Sequence, residues 1–141
     1  MKKRIVIVDG MGGGVGAQII ERLKTTAKDS FEILALGANS GATERMMKAG
    51  ADRGASGENA IRVSVASGCL ILGPIGIVIP NGMLGEITPA MAQAVLEAHC
   101  ERILVPVPQD HFTIAGLEQK ALGRLIDEAV SLAITKLAAV E

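Results

Sequence analysis

The stretch Arg4 to Gly16, Arg-Ile-Val-Ile-Val-Asp-Gly-Met-Gly-Gly-Gly-Val-Gly, restricts the fold more than any other part of the chain. Four consecutive apolar residues, all Ile or Val, predict a strand buried on both faces. The glycine run that follows opens a segment in which Val15, Ile19, Ile20 and Leu23 recur at helical spacing. Strand, glycine turn and helix together make a candidate phosphate cradle. Such a cradle needs glycine for two reasons: the turn takes backbone angles that a Cβ forbids, and a phosphate must come close to the bare N–H groups at the positive end of the helix.

At 141 residues the chain predicts one domain, so a cleft that needs two lobes would need another subunit. A hydrophobic content of 49% favours a homo-oligomer in which a partner chain covers part of the apolar surface. A net charge of -1, with no Trp and no Tyr, offers neither a basic footprint nor stacking platforms for nucleic acid. Cys69 and Cys100 lack metal-ligand spacing and are too few for a disulfide framework, which suits a reducing cytoplasm. The basic start Met1 to Arg4 is followed by an apolar run too short for a signal peptide. Val63 to Gly85 is uncharged and long enough to cross a bilayer, but Ser64, Gly68, Gly73, Pro74, Gly76, Pro80, Asn81 and Gly82 punctuate it as strand ends and turns, so no membrane span is expected.

Further strands are expected at Phe31 to Leu36, around Asp52 to Ala55, at Cys69 to Leu72 and at Ile103 to Val107, with a last short one at Phe112 to Ile114. Helices are expected over Thr43 to Lys48, from a Ser56 cap with Glu58 in the first turn, from a Thr88 cap with Pro89 to about His99, and over Leu122 to Leu137. The segment holding Ile61, Val63 and Val65 reads as a helix or as a strand, since its residues are β-branched. The alternation predicts an α/β fold: a mostly parallel sheet of five or six strands with helices on both faces.

Ligands of such sheets bind outside the carboxyl ends of the strands. That edge should carry Asp9 with the glycine turn, Gly37 to Ser40, Ser56 to Asn59, Gly73 to Gly76, Asn81 with Glu86, and Gln109 to His111. Candidate acids or bases there are Glu58, Glu86 and His111, each of which reads equally as a helix first turn, a solvated loop or a surface histidine. Asn59 and Asn81 are possible polar contacts on the same edge. Cys69, His99 and Cys100 fall on the opposite edge, where His99 is expected to meet the last carbonyls of its helix. Met46 and Met47 read as core or interface filler.

The spacing of Gly10, Gly14 and Gly16 resembles the G-x-x-x-G-x-G loop of short-chain dehydrogenases, which implies a pyrophosphate over the helix start and an NAD or NADP ligand. Those enzymes transfer protons through a Tyr-x-x-x-Lys pair, and this chain has no tyrosine. Their ribose-gripping acid at the end of the second strand is replaced by Gly37-Ala38-Asn39-Ser40, where Asn39 or Ser40 could act weakly and Arg45 could meet a 2'-phosphate. Gly12 to Gln18 also resembles the deviant P-loop of the MinD and ParA ATPases, yet Ala17 and Gln18 stand where their lysine and hydroxyl residue belong, leaving triphosphate hydrolysis without its charge stabilisers. Asp9 either braces the glycine loop, recruits a metal or opposes a phosphate.

Taken in order, Asp9-Gly10 with Gly12-Gly13-Gly14, Ala49 to Asp52, Gly57 to Ala60, Gly73 to Gly76 and Met83 to Thr88 resemble an uncharacterised family of short bacterial proteins, a domain of unknown function. The resemblance runs nearly end to end and implies a three-layer Rossmann-like fold without assigning an activity. Three functions follow as expectations. The first is a nucleotide- or dinucleotide-binding module, holding NAD, NADP or another adenine nucleotide through Asp9 to Gly16, Gly37, Asn39, Ser40, Gly73, Pro74 and Ile75. The second is a small oxidoreductase or other enzyme, and the third a structural subunit whose cradle stays empty.

Overall fold

The structure, a computed structural model, describes residues 2–109 and 112–139. Five strands, β1 (Lys3–Asp9), β2 (Phe31–Gly37), β3 (Arg53–Ser56), β4 (Leu70–Pro74) and β5 (Glu101–Val105), form one sheet in the order β3-β2-β1-β4-β5. All four pairings are parallel. The helices are α1 (Gly14–Ala27), α2 (Ser40–Lys48), α3 (Glu58–Ser64), α4 (Pro89–Glu97) and α5 (Leu122–Ala139), with short 3-10 turns at Val65–Ser67 and Ile75–Val78.

The first strand is central because both its faces are apolar. Ile5 and Ile7 pack into the layer that holds α1, α2 and α5, while Val6 and Val8 pack into the layer that holds α3 and α4. This is the three-layer Rossmann-like arrangement, with β1 flanked by β2 and β4. The run Leu70 to Leu72 is uncharged for the same reason, so Val63 to Gly85 divides among a helix, two 3-10 turns and a buried strand. No helix among the described residues is long and apolar enough to cross a membrane.

Several local expectations are corrected. Ser56 ends β3, and Gly57 at φ 100 takes the cap position of α3 without a side-chain hydrogen bond. The ambiguous β-branched segment is helical: Ile61 and Val65, one turn apart, are buried, whereas Val63 is 71% exposed. The strand expected at Cys69 to Leu72 starts one residue later and reaches Pro74, and the strand expected at Ile103 to Val107 runs from Glu101 to Val105. Phe112 to Ile114 forms no strand, because the chain leaves the sheet after β5. Thr88 does cap α4, accepting the amide of Met91 at 3.1 Å, with Pro89 at the first helical position. That helix stops at Glu97, short of His99.

Candidate functional site

From β1 the chain steps outward to β2 and β3, then crosses back to β4 and β5 on the other side, so the order of strands reverses between β1 and β4. The crevice outside the carboxyl ends at such a reversal is where open α/β sheets take their ligands. A cleft of about 540 Å³ lies there. Asp9 to Val15 with Gln18 form one wall, Pro74, Gly76, Met83 and Leu84 a second, and Val107, Pro108, Gln109 and Leu122 the third.

Asp9, at the end of β1, is 4% exposed and braces the glycine loop. One carboxylate oxygen accepts the amide of Gly10 at 2.7 Å and the other that of Gly16 at 2.8 Å. Burial pushes its pKa above the usual carboxylate value; the two amides pull it back down, the Glu86 charge adds to the rise and Arg45 opposes it. Gly13 takes the cap position of α1 at φ 74, and its amide donates to the Gly10 carbonyl at 2.9 Å.

The loop's remaining donors stay open. Among the described residues, the amides of Gly12, Gly14 and Val15 have no protein acceptor. The glycines divide the same way. A Cβ on Gly13 would lie 2.7 Å from the Ala42 carbonyl and one on Gly16 2.5 Å from the sulfur of the buried Met46, so the fold itself requires these two, while one on Gly10 would meet the ends of the Glu86 and Met83 side chains at 2.6 and 2.8 Å. On Gly12 and Gly14 the nearest neighbour would be Arg45 Nη1, at 3.7 and 3.3 Å, the end of a flexible and exposed side chain. Three amides at the positive end of α1 and one guanidinium beside them suit an anion.

A second loop, Pro80 to Thr88, crosses the sheet edge to meet the first. Glu86 Oε1 accepts the Met11 amide at 2.5 Å and the Asn39 side-chain amide at 2.9 Å. Asn39 is used up by these ties: its Oδ1 caps α2 on the Ala42 amide at 2.8 Å, and its Nδ2 also donates to the Met11 carbonyl at 2.9 Å. Within the crossing loop Asn81, Met83 and Leu84 all hold positive φ, at 63, 56 and 56. Asparagine adopts that conformation readily, whereas for Met83 and Leu84 it is costly.

Of the residues expected at a site, Asp9 to Val15 and Pro74 line the cleft. Gly16, Gly37 and Gly73 sit just behind it as buried packing positions. Ser40 is exposed at the start of α2, and Ile75 begins a 3-10 turn without reaching the cleft. Glu58 accepts the Thr88 hydroxyl at 2.6 Å, and Asn59 borders a separate groove between α3 and α4. Asn81 is exposed, and its backbone closes the crossing loop on Ile87 at 2.7 Å. His111, with its neighbour Asp110, lies outside the described residues. Met46 is core and Met47 partly exposed. The lining residues that the sequence did not single out, Gln18, Met83, Leu84, Val107, Pro108 and Leu122, are mostly apolar, and only the fold brings them to one place.

At the opposite edge, the expectation for His99 is replaced. Arg102 Nη1 donates to the carbonyls of Val95, Ala98 and Cys100 at 3.3, 2.6 and 3.1 Å and so closes the end of α4, while His99 is exposed. Cys69 and Cys100 are free thiols that pack into opposite layers, and burial raises the Cys100 thiol above its ordinary pKa. The described residues hold no group of three or more His, Cys, Asp or Glu side chains placed for a metal ion.

The fold and the cleft define a doubly wound α/β domain whose concave site lies at the strand reversal. The chain belongs to the family described as Domain of unknown function (DUF3842), whose model matches residues 4–138. Comparisons with curated proteins and with solved structures found no match.

Proposed function

We propose that this protein is a nucleotide- or dinucleotide-binding module that holds the phosphates of an adenine nucleotide, NAD and NADP included, over the loop Gly12 to Val15. The observation that carries the reading is the set of three uncommitted amides, of Gly12, Gly14 and Val15, beside the Arg45 guanidinium and at the wall of a 540 Å³ cleft. That volume falls within the usual range for small-molecule sites, and the mixture of an apolar lining with a few convergent polar groups is typical of them. The Oε1 atoms of Glu58 and Glu86 accept hydrogen bonds that tie loops together, a positioning role that fits a binding module. A bacterial cytoplasmic setting accords with the free cysteines. Self-association is part of the proposal, since Leu84 at 91% exposure, Met11 at 51% and Leu122 at 38% leave apolar surface around the cleft.

Thermal unfolding with NAD, NADP, AMP, ADP, ATP and FAD tests this. A ligand at 100 times its Kd should add about 2.7 kcal/mol, a shift of several degrees. Gly14→Leu should abolish the shift while the protein still folds, because the Arg45 side chain can move aside. No shift with any of the six would leave a structural subunit with an empty cradle as the better reading.

A further inference from the structure

We infer that Glu86, carried by the loop after β4, is the acceptor for the ribose diol of the bound nucleotide, and that it selects an unmodified ribose over a 2'-phosphorylated one. The inference rests on the phosphate-loop reading above and adds the sugar to it.

In dinucleotide-binding sheets a carboxylate at the tip of the second strand hydrogen-bonds the ribose. Here Asn39 follows that tip, and its side chain is consumed by the α2 cap, the Met11 carbonyl and Glu86. The missing carboxylate arrives from elsewhere in the chain. Glu86 Oε1 stands between Met11, just past β1, and Asn39, just past β2, and the space where a Gly10 Cβ would be is the space it fills. The tips of paired strands are about 5 Å apart, so the group lies over the β1/β2 junction beside the phosphate loop.

The two oxygens of this carboxylate are not equivalent. Oε1 takes two donors, which fixes the group in place, whereas Oε2 has no partner among the described residues, and Glu86 is only partly buried. A fixed carboxylate with one open oxygen accepts neutral hydroxyl donors. It also repels a phosphate. A 2'-phosphate on the same sugar would bring its charge against Glu86, and the Arg45 guanidinium, which could offset it, would be drawn instead to a diphosphate held over Gly12 and Gly14. The ligand class is therefore a ribonucleotide with both sugar hydroxyls free.

Calorimetric titration of the wild-type chain with ADP, 2'-deoxy-ADP, NAD, NADP and pyrophosphate tests the inference. ADP should bind about tenfold or more tightly than its 2'-deoxy analogue, the loss of one hydrogen bond to a charged acceptor, and NAD should outbind NADP. Glu86→Gln keeps an acceptor for Met11 while removing the charge, and should bring both ratios toward one. Equal affinity for ADP and 2'-deoxy-ADP in the wild type, with pyrophosphate still bound, would overturn the sugar assignment and leave the phosphate loop standing. Failure of all five probes would overturn both. If Glu86→Gln does not fold, the comparison of ribose with deoxyribose in the wild type decides alone.

Discussion

The carboxylate of Glu86 accepts the amide proton of Met11 at 2.5 Å, across 75 residues of sequence, and so fastens the loop after β4 to the loop after β1. Two carboxylates thus hold one glycine turn from opposite sides, Asp9 from within the sheet and Glu86 from above its edge. What they leave unclaimed is the short arc of amides that faces the cleft.

Removing the outer clamp has a measurable cost. Glu86→Ala leaves the Met11 amide and the Asn39 side chain without their shared acceptor, and because the contact is reached by water the loss should be about 1 kcal/mol. Glu86→Gln should lose less, since it offers a carbonyl to the same donor. Urea unfolding compares the three proteins, and identical midpoints would show that the crossing loop is held by other contacts.

The inner clamp makes stability depend on pH in an unusual direction for an aspartate. The folded pKa of Asp9 is raised above the ordinary 3.8, chiefly by burial, so the unfolded chain gives up this proton first. Between the two pKa values the native state binds more protons, and the Asp9 contribution to stability declines as pH rises through that window and is level above it. Asp9→Asn abolishes the window but also loses one of the two amide acceptors. The margin of wild type over the variant should therefore be largest at acid pH and narrow as pH rises from about 4. A margin that grows with pH would show that the ionised form is the one the fold prefers.

Glycines of the turn should separate under alanine substitution. Gly13→Ala meets both a φ of 74 and the Ala42 carbonyl at 2.7 Å, and should cost more than about 2 kcal/mol. Gly12→Ala, whose nearest neighbour is Arg45 at 3.7 Å, should stay within about 1 kcal/mol. Equal costs would mean that the turn is not held as described.

Leu84 is 91% exposed at φ 56, so its side chain returns little for the backbone angle it imposes. In the dissociated protomer, at protein concentrations too low for self-association, Leu84→Gly should raise stability by up to about 1 kcal/mol, the relief of the left-handed angle less the added freedom of the unfolded chain. A lower melting temperature would refute this and assign the leucine a packing role.

At the far edge the carbonyls of α4 depend on Arg102 and not on His99. Arg102→Met should destabilise by about 1 to 3 kcal/mol. His99→Ala, at an exposed site, should change stability by less than about 0.5 kcal/mol. The reverse ranking would restore the histidine as the cap.

The layers were legible in the sequence because burial leaves a periodic mark. Ile5 to Val8 announced a strand covered on both faces, and the spacing of Ile126, Ala129, Val130, Ala133 and Leu137 announced the helix that packs against α1. The cap at Thr88 was legible because its chemistry is local. The ambiguity at Ile61 to Val65 could not be resolved locally, since β-branched residues serve in either element and only packing against α4 decided between them. In the candidate site, the glycine loop could be read directly, while Met83, Val107 and Leu122 could not, because nothing in an isolated apolar residue says which cleft it will face. Nor could the pairing of Glu86 with Asn39 be read, since it spans 47 residues and depends on where two loops end up.

The distance in sequence between Glu86 and Met11 also sets a timetable. Local closure of strand, turn and helix at the start of the chain can proceed early, but the outermost fastening waits until β4 has been laid beside β1 and the backbone beyond it has doubled back. During synthesis the mouth of the first helix therefore remains untethered on its outer side until the chain as far as Glu86 has emerged.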